Sequence, residues 1–328
     1  MTASWNILER RRGNENLKEP MRSIPGKKNP RKPLSEQNKP GRYDRRNRLN
    51  DLSGRDWLLL TKSYWTSEPS ALDRSAYSHP APFIVRDVEK LITLFTKKEM
   101  VVLDPFVGCG TTIVAANRVG RKAIGIDINP RYKRQARARL SSLKLRDYEY
   151  LVGDSKEVLK EIPIVDYIVT SPPYHNILRN DAKGTRHYNG KMYRMGAREG
   201  VKYYTDHEND LGNLPSYSSF IKSFSGIMKL AFDKIRESGY CTIVISDFTV
   251  NKEETCVVGD IVDSMRDIGF KYCGTTVLLQ PVKPLFPFGY PYSYKINHHH
   301  QSLITFQRPH ERVRQESRST KKKGLNRH

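Results

Sequence analysis

Four short apolar segments, with helical patterns between them, constrain what this chain can fold into more than any other feature. The segments are EMVVLDPF (99–106), KAIGIDIN (122–129), YEYLVGDS (148–155) and VDYIV (165–169). A stretch typical of a helix follows each of the first three before the next segment begins. Strands that alternate with helices predict a parallel sheet with helices on both faces.

Later segments extend this pattern along the chain. Residues 217–235 have the apolar period of an amphipathic helix, and GYCTIVISDF (239–248) is predicted as a fifth strand. KYCGTTVLLQ (271–280) and QSLITFQ (301–307) predict a hairpin-like pair that closes the sheet, and HPAPFIVRDVEKLITLFT (79–96) has a helical period. We therefore predict an α/β fold with a doubly wound, mostly parallel sheet of seven strands.

Polar residues and glycines collect where the predicted strands end. Asp104, Asp127 and Asp154 each end an apolar run, GCGTT (108–112) follows the first strand, and TSPPY (170–174) follows the fourth. A single acid at such a place is often only a helix cap. The carboxyl ends of neighbouring parallel strands meet at one edge, however, and α/β sheets bind ligands there. The sequence therefore predicts one ligand site at this edge.

The glycine-rich turn narrows the class of ligand. Gly108 and Gly110 lie between a predicted strand and a helix, where glycine lets the backbone approach a ligand closely. Ile113 stands where the nicotinamide fingerprint has its third glycine, and the turn lacks the GK[ST] of a phosphate-binding loop. Asp127, 17 residues after Gly110, is placed to accept hydrogen bonds from a ribose diol. These features predict a nucleoside ligand without a pyrophosphate.

The charge of the chain favours a polyanionic partner. The formal net charge is +22, from 57 Lys and Arg against 35 Asp and Glu. Residues 1–50 and 309–328 carry most of this excess and few large apolar residues, so we expect disordered basic arms at both ends. The expected folded domain is therefore 51–308. A positive field of this size attracts nucleic acid.

Other classes of protein are disfavoured. No apolar run approaches the roughly 18 residues of a membrane span, and the first residues lack the apolar region of a secretory signal. The four cysteines are scattered without a CxxC pair, which indicates a protein of the reducing cytoplasm. Three adjacent histidines (298–300) on a strand-like segment cannot all face one point, so we expect no metal site.

The two clearest motifs resemble those of a known family. DPFVGCGTT (104–112) has the form DPFxGxGTT, and SPPY (171–174) has the form (D/N/S)PP(Y/F/W). Together they resemble the S-adenosylmethionine-dependent amino methyltransferases that act on DNA bases, and HPAPF (79–83) is similar to an additional cofactor motif of that family. The resemblance runs from about residue 51 to 307. It implies a Rossmann-like class I methyltransferase fold with S-adenosyl-L-methionine as cofactor.

The resemblance also implies residue roles. The methionine part of the cofactor is expected on Phe106, Gly108 and Gly110, and its anchoring on Asp104 and Thr111. Asp127 is expected to bind the ribose hydroxyls and Asp154 the adenine amino group. The target base is expected against Ser171, Pro172, Pro173 and Tyr174.

The first residue of the second motif bears on the substrate. Serine at position 171 is typical of enzymes that methylate cytosine N4, whereas adenine N6 enzymes usually carry aspartate. Cytosine C5 chemistry is disfavoured because no cysteine follows a proline. An adenine N6 enzyme, an RNA amino methyltransferase and a non-catalytic nucleic-acid-binding protein that kept the fold remain as alternatives.

The expected partner is double-stranded DNA with a flipped target base. We expect recognition inserts at 175–213 and 281–297, since neither basic arm resembles a folded recognition domain. A mobile lid over the cofactor is a compatible alternative for both segments. In the first insert the predicted DNA contacts are Arg179, Lys183, Arg186, Lys191, Arg194 and Arg198. A restriction–modification role, which the family implies, adds a cognate restriction endonuclease as a partner.

Overall fold

The computed structural model describes residues 41–76, 83–176, 185–188, 191–194 and 204–310. Its helices are α1 (Gly54–Leu60), α2 (Val85–Phe95), α3 (Thr111–Arg118), α4 (Pro130–Ser142), α5 (Ser155–Glu161), α6 (Tyr217–Lys234) and α7 (Val257–Ile268). Its strands are β1 (Tyr64–Thr66), β2 (Val101–Asp104), β3 (Lys122–Asp127), β4 (Tyr148–Val152), β5 (Val165–Thr170), β6 (Thr185–Tyr188), β7 (Lys191–Arg194), β8 (Ile235–Ile245), β9 (Phe248–Val250), β10 (Glu253–Thr255), β11 (Lys271–Leu279) and β12 (His300–Gln307).

The main sheet has eight strands in the order β1-β11-β12-β8-β5-β2-β3-β4. Strand β12 runs antiparallel to both of its neighbours, and the other five pairings are parallel. The carboxyl ends of β5, β2, β3 and β4 therefore lie at one rim of the sheet. This topology is a Rossmann-like, mostly parallel α/β arrangement, and it confirms the predicted fold class.

Helices cover both faces of the sheet, as a doubly wound fold requires. On one face α5, α6 and α7 bury a cluster that includes Phe220, Phe224 and Ile261. On the other, α2, α3 and α4 bury a second cluster that includes Ile92, Ile113 and Leu140. The central strands are buried on both faces, which explains their continuous apolar runs.

Local sequence signals fix where several helices begin. Ser53 caps α1, Asn129 caps α4 directly before Pro130, and Asp154 caps α5 through a side chain that accepts from the Lys156 amide. Such side chains satisfy amide groups that the first turn of a helix leaves without partners. The helices that follow β3 and β4 therefore start directly at the rim.

The structure differs from the predicted strand count at one edge. The segment Tyr64–Thr66 forms an additional strand that pairs in parallel with β11, so the main sheet has eight strands where we predicted seven. A segment of three residues is too short to show the alternation of apolar and polar residues that predicts a strand. It forms a strand because it pairs with β11. The predicted hairpin-like pair of β11 and β12 is confirmed.

The described residues extend slightly beyond both ends of the predicted domain, 51–308. The side chain of Asn50 is fully buried and donates to the Leu94 carbonyl across 2.6 Å, so packing begins before residue 51. Most of the two basic arms, residues 1–40 and 311–328, lies outside the described residues. None of the described helices has the length and apolar character needed to cross a membrane.

Candidate functional site

A cleft lies at the rim where β2, β3, β4 and β5 end. It encloses about 680 Å³, including space open to solvent. Phe106, Asp127 and Asp154 line one side, which we call the acidic wall. Residues 171–174 line the opposite side, which we call the proline wall. The structure thus brings both sequence motifs into one cleft, as their positions after parallel strands predicted.

The turn between β2 and α3, residues 107–110, which we call the glycine turn, contacts the acidic wall through the Gly108 amide. Gly108 and Gly110 both have positive φ angles, 49° and 81°, and a Cβ at Gly110 would lie 3.3 Å from Ala136. The Tyr150 hydroxyl donates to the Gly108 carbonyl across 2.7 Å. These contacts hold the turn tightly against α4 and β4. Glycine is needed here for the backbone conformation and for this close approach.

Asp127, at the end of β3, is one of the carboxylates that line the cleft. Its carboxylate accepts from the Gly108 amide at 2.9 Å and from the Asn129 amide at 2.8 Å. Burial raises the pKa of Asp127 to about 7, against the lowering effect of those two amides. Each carboxylate oxygen retains a further lone pair, so the ionised group can also accept hydrogen bonds from a diol.

Asp154 has a double role at the end of β4. One oxygen accepts from the Lys156 amide at 2.9 Å and caps α5. The other accepts from the side-chain amide of Asn209 at 3.0 Å. The Asn209 amide is the same kind of donor as an exocyclic amine on a purine. The position predicted for an adenine amino group is therefore occupied by a protein amide.

Asp104 does not line the cleft, although the sequence placed it among the ligand contacts. Its oxygens accept from the hydroxyls of Thr112 and Thr170, each at 2.5 Å, and from the Phe106 amide at 3.0 Å. Burial raises the pKa of Asp104 to about 6. The side chain joins the ends of β2 and β5 to the start of α3, so it supports the cleft from within the protein.

Thr111 is likewise turned into the protein. Its hydroxyl accepts a hydrogen bond from the guanidinium of Arg139 at 2.9 Å, and it is 3% exposed. Arg139 also donates to the Leu72 carbonyl at 3.1 Å, and burial lowers its pKa. The Arg139 guanidinium thus links the glycine turn to the segment before α2.

The proline wall presents a hydroxyl and a fixed aromatic ring. Among the described residues, the Ser171 hydroxyl has no hydrogen-bond partner. The Tyr174 ring stacks on Phe248 with centroids 5.2 Å apart and 22° between the planes. Its hydroxyl accepts from the Ser246 amide at 3.0 Å and from the Gln301 side chain at 3.2 Å. Tyr174 is therefore held on one face and at its tip, with part of its surface lining the cleft.

Residues 204–213, which we call the strap, complete the cleft, although no residue of this segment was predicted by number as part of it. The Asn129 side chain donates to the Tyr204 carbonyl at 2.8 Å, and the Asn176 amide donates to the Gly212 carbonyl at 3.1 Å. With the Asn209–Asp154 bond, the strap is fixed to the turns after β3, β4 and β5. The sequence signal was the tyrosine-rich composition of 175–213, which we interpreted as a recognition insert, with a lid over the cofactor as a compatible alternative.

Tyr132 is a second unpredicted lining residue. It lies in the first turn of α4, directly after the Asn129 cap and Pro130. Burial raises its pKa above the ordinary range. Its position one turn into a helix that follows a strand-end acid was the available signal.

The predicted DNA contacts of the first insert are only partly described. Arg179, Lys183 and Arg198 lie outside the described residues. Arg186 on β6 and Lys191 and Arg194 on β7 belong to an antiparallel hairpin whose backbone pairing is described. Their role in DNA contact stays a prediction. The motif HPAPF (79–83) also lies outside the described residues except for Phe83.

The three histidines have separate surroundings. The Nε2 atom of His298 lies 2.8 Å from a carboxylate oxygen of Glu254. Within the described ranges, no group of three or more His, Cys, Asp or Glu side chains converges on one point. The four cysteines are free thiols, and Cys109 in the glycine turn is buried. Burial raises the pKa of the Cys109 thiol, which disfavours its thiolate form.

A family comparison matches the part of the chain that contains the glycine turn and two residues of the acidic wall, Phe106 and Asp127. Residues 13–138 match the family model for DNA methylases, N6_N4_Mtase. The match contains the glycine turn and Asp127, and it ends before Asp154 and the proline wall. It therefore supports the first motif of the resemblance and does not reach the second.

Curated relatives include enzymes acting on two kinds of nucleic acid. The chain is 40% identical over 101 residues to the Type II methyltransferase M2.DpnII of Streptococcus pneumoniae. The matched stretch covers 30% of this chain and 35% of the relative. It is 32% identical over 104 residues to the tRNA (guanine(10)-N2)-dimethyltransferase of Pyrococcus abyssi, covering 31% of each. The chain thus spans about a third of the length of the curated relatives that it matches.

Among solved structures, the chain is similar to TrmN from Thermus thermophilus. The TM-score is 0.47 at 14% sequence identity, and the similarity covers 73% of this chain and 52% of that one.

Proposed function

We propose that this chain is a site-specific DNA methyltransferase that uses S-adenosyl-L-methionine to methylate the exocyclic N4 of cytosine in duplex DNA. The observation that carries the proposal is the shared cleft. Its acidic wall suits a nucleoside and its proline wall suits a planar base. A donor site and an acceptor site on opposite sides of one cleft are what a group transfer between two ligands requires.

The residues of the acidic wall fit the proposed cofactor. The Asp127 carboxylate accepts hydrogen bonds from a ribose diol, and Asp154 accepts from an adenine amine in place of the Asn209 amide. Phe106 and Tyr132 add apolar and aromatic surface beside them. When bound here, S-adenosyl-L-methionine supplies an electrophilic methyl group.

The proline wall fits the acceptor amine. The lone pair of an exocyclic amine on a base is delocalised into the ring, so the amine is a poor nucleophile. Hydrogen bonds from this amine to the Ser171 hydroxyl and the Pro172 carbonyl favour a pyramidal nitrogen with a localised lone pair. Pro172 and Pro173 restrict the backbone that carries these acceptors. The acceptors are therefore positioned before the base arrives.

Tyr174 fits the role of a platform for the base. Its ring is fixed by Phe248 and by hydrogen bonds to its hydroxyl, so stacking a base on it costs little additional order. A base reaches the cleft only after it has been flipped out of the duplex.

Cytosine N4 is preferred to adenine N6 because of Ser171. An aspartate at this position is usual in adenine enzymes, and its absence removes a carboxylate acceptor for the second hydrogen of the amine. The adenine N6 reaction is the runner-up for the same site. The likeness to tRNA dimethyltransferases supports an RNA amine as a third candidate.

DNA is favoured as the substrate by the family match, by the Type II relatives and by the net charge of +22. We propose that the insert 175–213 and the basic arms contact the phosphates and bases around the target. Because curated relatives are named Type II methyltransferases, we propose for this chain a role in a restriction–modification system with a cognate endonuclease.

The test is a methyl-transfer reaction on three substrates: duplex DNA, single-stranded DNA and transfer RNA. Each is incubated with the protein and S-adenosyl-L-methionine, digested to nucleosides and analysed by mass spectrometry. We expect N4-methylcytosine from the duplex alone. N6-methyladenine alone would overturn the N4 assignment, and methylated nucleosides from RNA alone would overturn the DNA assignment. No methylated nucleoside from any substrate would overturn the enzyme proposal.

A further inference from the structure

Residues 281–297, which we call the rim loop, connect β11 to β12 at the rim of the cleft. Strand β11 runs parallel to β8 and β5, so its carboxyl end lies at the same edge as the proline wall. Gln301, four residues after the loop, donates to the Tyr174 hydroxyl at 3.2 Å. The Ser246 hydroxyl donates to the His300 carbonyl at 2.9 Å. The rim loop therefore ends beside the residues that hold Tyr174.

The rim loop exposes aromatic side chains to an unusual extent. Tyr290, Tyr292 and Tyr294 are 79%, 94% and 88% exposed, and Leu285 is 74% exposed. Single exposed apolar residues are ordinary on protein surfaces, but a contiguous group marks a surface that meets a partner. Aromatic rings contribute large contact areas at a low cost in side-chain entropy.

The loop is held in shape by its own hydrogen bonds. The Asn297 side chain accepts from the Phe286 amide at 2.9 Å and donates to the Phe286 carbonyl at 2.7 Å, which closes the base of the loop. The amides of Tyr292 and Ser293 both donate to the Gly289 carbonyl at 2.7 Å. Gly289 has φ +75°, and a Cβ there would meet the Ser293 carbonyl. The tyrosines are thus displayed on an ordered turn.

The charge of the loop indicates the kind of partner. Residues 281–297 contain Lys283 and Lys295 and no acidic residue. Tyrosine rings stack on nucleic-acid bases, and lysines beside them contact phosphates. The rim loop thus combines aromatic and basic residues without an acidic one. This combination suits a polyanionic partner with planar bases, which is a nucleic acid.

We propose that Tyr290, Tyr292 and Tyr294 form a platform that stacks on the DNA bases left unpaired where the target base leaves the duplex. This inference rests on the proposed function and adds a specific role for the rim loop. The platform compensates for part of the stacking that the duplex loses when a base is extruded. The loop that carries it leads within four residues to Gln301, which donates to the hydroxyl of Tyr174 in the proline wall.

The test measures equilibrium binding of two duplexes by fluorescence anisotropy at one fixed salt concentration. One duplex is fully paired, and the other has the same sequence with one base opposite an abasic position. The wild-type protein is expected to bind the second duplex more tightly. The double variant Tyr292→Ala, Tyr294→Ala is expected to lose roughly five- to hundredfold in affinity for the second duplex, the range measured for base–aromatic stacking. Its loss on the paired duplex is expected to be smaller.

Tyr272→Ala is the matched control. Tyr272 is a 42% exposed tyrosine at the start of β11, at the end of the strand away from the rim. The Tyr272→Ala variant should bind both duplexes as the wild type does. Binding of S-adenosylhomocysteine to each variant, measured by calorimetry, shows whether the cleft is intact, and it should not change.

Unchanged affinity of the double variant for both duplexes would overturn the platform. The platform would also be overturned if the double variant self-associated less than the wild type in sedimentation experiments while its DNA affinity was unchanged. The loop would then be an interface between copies of the chain. These binding measurements need no methyl transfer. A failure of the platform and a failure of the proposed enzyme activity are therefore separate results.

Discussion

The Gly108 amide donates a hydrogen bond to the Asp127 carboxylate across 2.9 Å and ties the turn after β2 to the end of β3. This bond fixes the acidic wall, because the same carboxylate also accepts from the Asn129 amide at the start of α4. The burial that this arrangement requires raises the pKa of Asp127 to about 7. The protonation state of the wall therefore changes near neutral pH.

Binding of S-adenosylhomocysteine should depend on pH through Asp127. Only the ionised carboxylate has its full set of acceptors for a diol, and the raised pKa means that this form is lost as the pH falls through about 7. We expect affinity to be constant at high pH and to fall about tenfold per pH unit below 7. Calorimetry from about pH 5.5 to 8.5 measures this. Asp127→Asn should bind weakly with a flatter profile, and a wild-type profile equally flat would contradict the role.

Asp104 should matter for stability more than for ligand binding. Asp104→Ala leaves two threonine hydroxyls and the Phe106 amide without their acceptor, so we expect a loss of about 2–5 kcal/mol in the free energy of unfolding. Asp104→Asn keeps one acceptor oxygen and should lose about 1–2 kcal/mol. Urea denaturation measures both, and equal losses for the two variants would contradict this account.

The Asp104→Asn loss should also depend on pH. The pKa of Asp104 is raised to about 6 from 3.8, so the folded wild type favours the protonated form. Its stability therefore falls as the pH rises from about 4 to 6, whereas the asparagine variant lacks this dependence. The difference between the two proteins should be larger at pH 4 than at pH 7, and the opposite order would show that the ionised form is preferred.

Tyr174 should contribute to catalysis mainly through its ring. Tyr174→Phe keeps the stacking surface and loses a hydroxyl that accepts two hydrogen bonds, so we expect kcat/KM to fall less than about tenfold. Tyr174→Ala removes the ring and should reduce kcat/KM about a hundredfold or more. Methyl transfer to duplex DNA, with unchanged binding of S-adenosylhomocysteine, is the measurement. Equal activity of the two variants would argue against stacking.

Asn209 should compete with the cofactor for Asp154. Its amide donates to the Asp154 oxygen expected to accept from an adenine amine, so the two donors compete for one oxygen. Asn209→Ala should raise the affinity for S-adenosylhomocysteine about three- to tenfold, the size expected for one ordinary hydrogen bond at an exposed position. A lower affinity would indicate that Asn209 contacts the ligand directly.

The sequence predicted the parts of the fold whose signals are local. The strands β2, β3, β4 and β5 are apolar runs that stop at an acid or a proline, and these residues also define the rim. Strand β1 was missed because its three residues, Tyr64–Thr66, depend on an edge that β11 provides more than 200 residues later. Pairings between distant segments leave no periodic signal in either one.

The same difference between local signals and contacts among distant segments explains which residues of the site could be predicted. Asp127 and Ser171 follow strands directly, so their positions in the chain placed them in the cleft. Asn209 reaches it from a segment with no regular pattern, through a bond to Asp154, 55 residues earlier. Asp104 turns inward because Thr170 and Thr112 hold it there, which depends on packing between elements. The motif identified a residue whose described hydrogen-bond partners are all protein groups beneath the cleft, and its anchoring of the cofactor stays a prediction.

Long-read sequencing of DNA from cells that express the protein tests the central claim most directly, because it reports the modified base and its sequence context together. Cells that express the wild type should carry N4-methylcytosine at one short recognition sequence. Cells that express Tyr174→Ala at the same level should carry little or none there. Unmodified DNA in the wild-type cells, or the same pattern in both, would contradict the assignment of this cleft to cytosine N4 methylation.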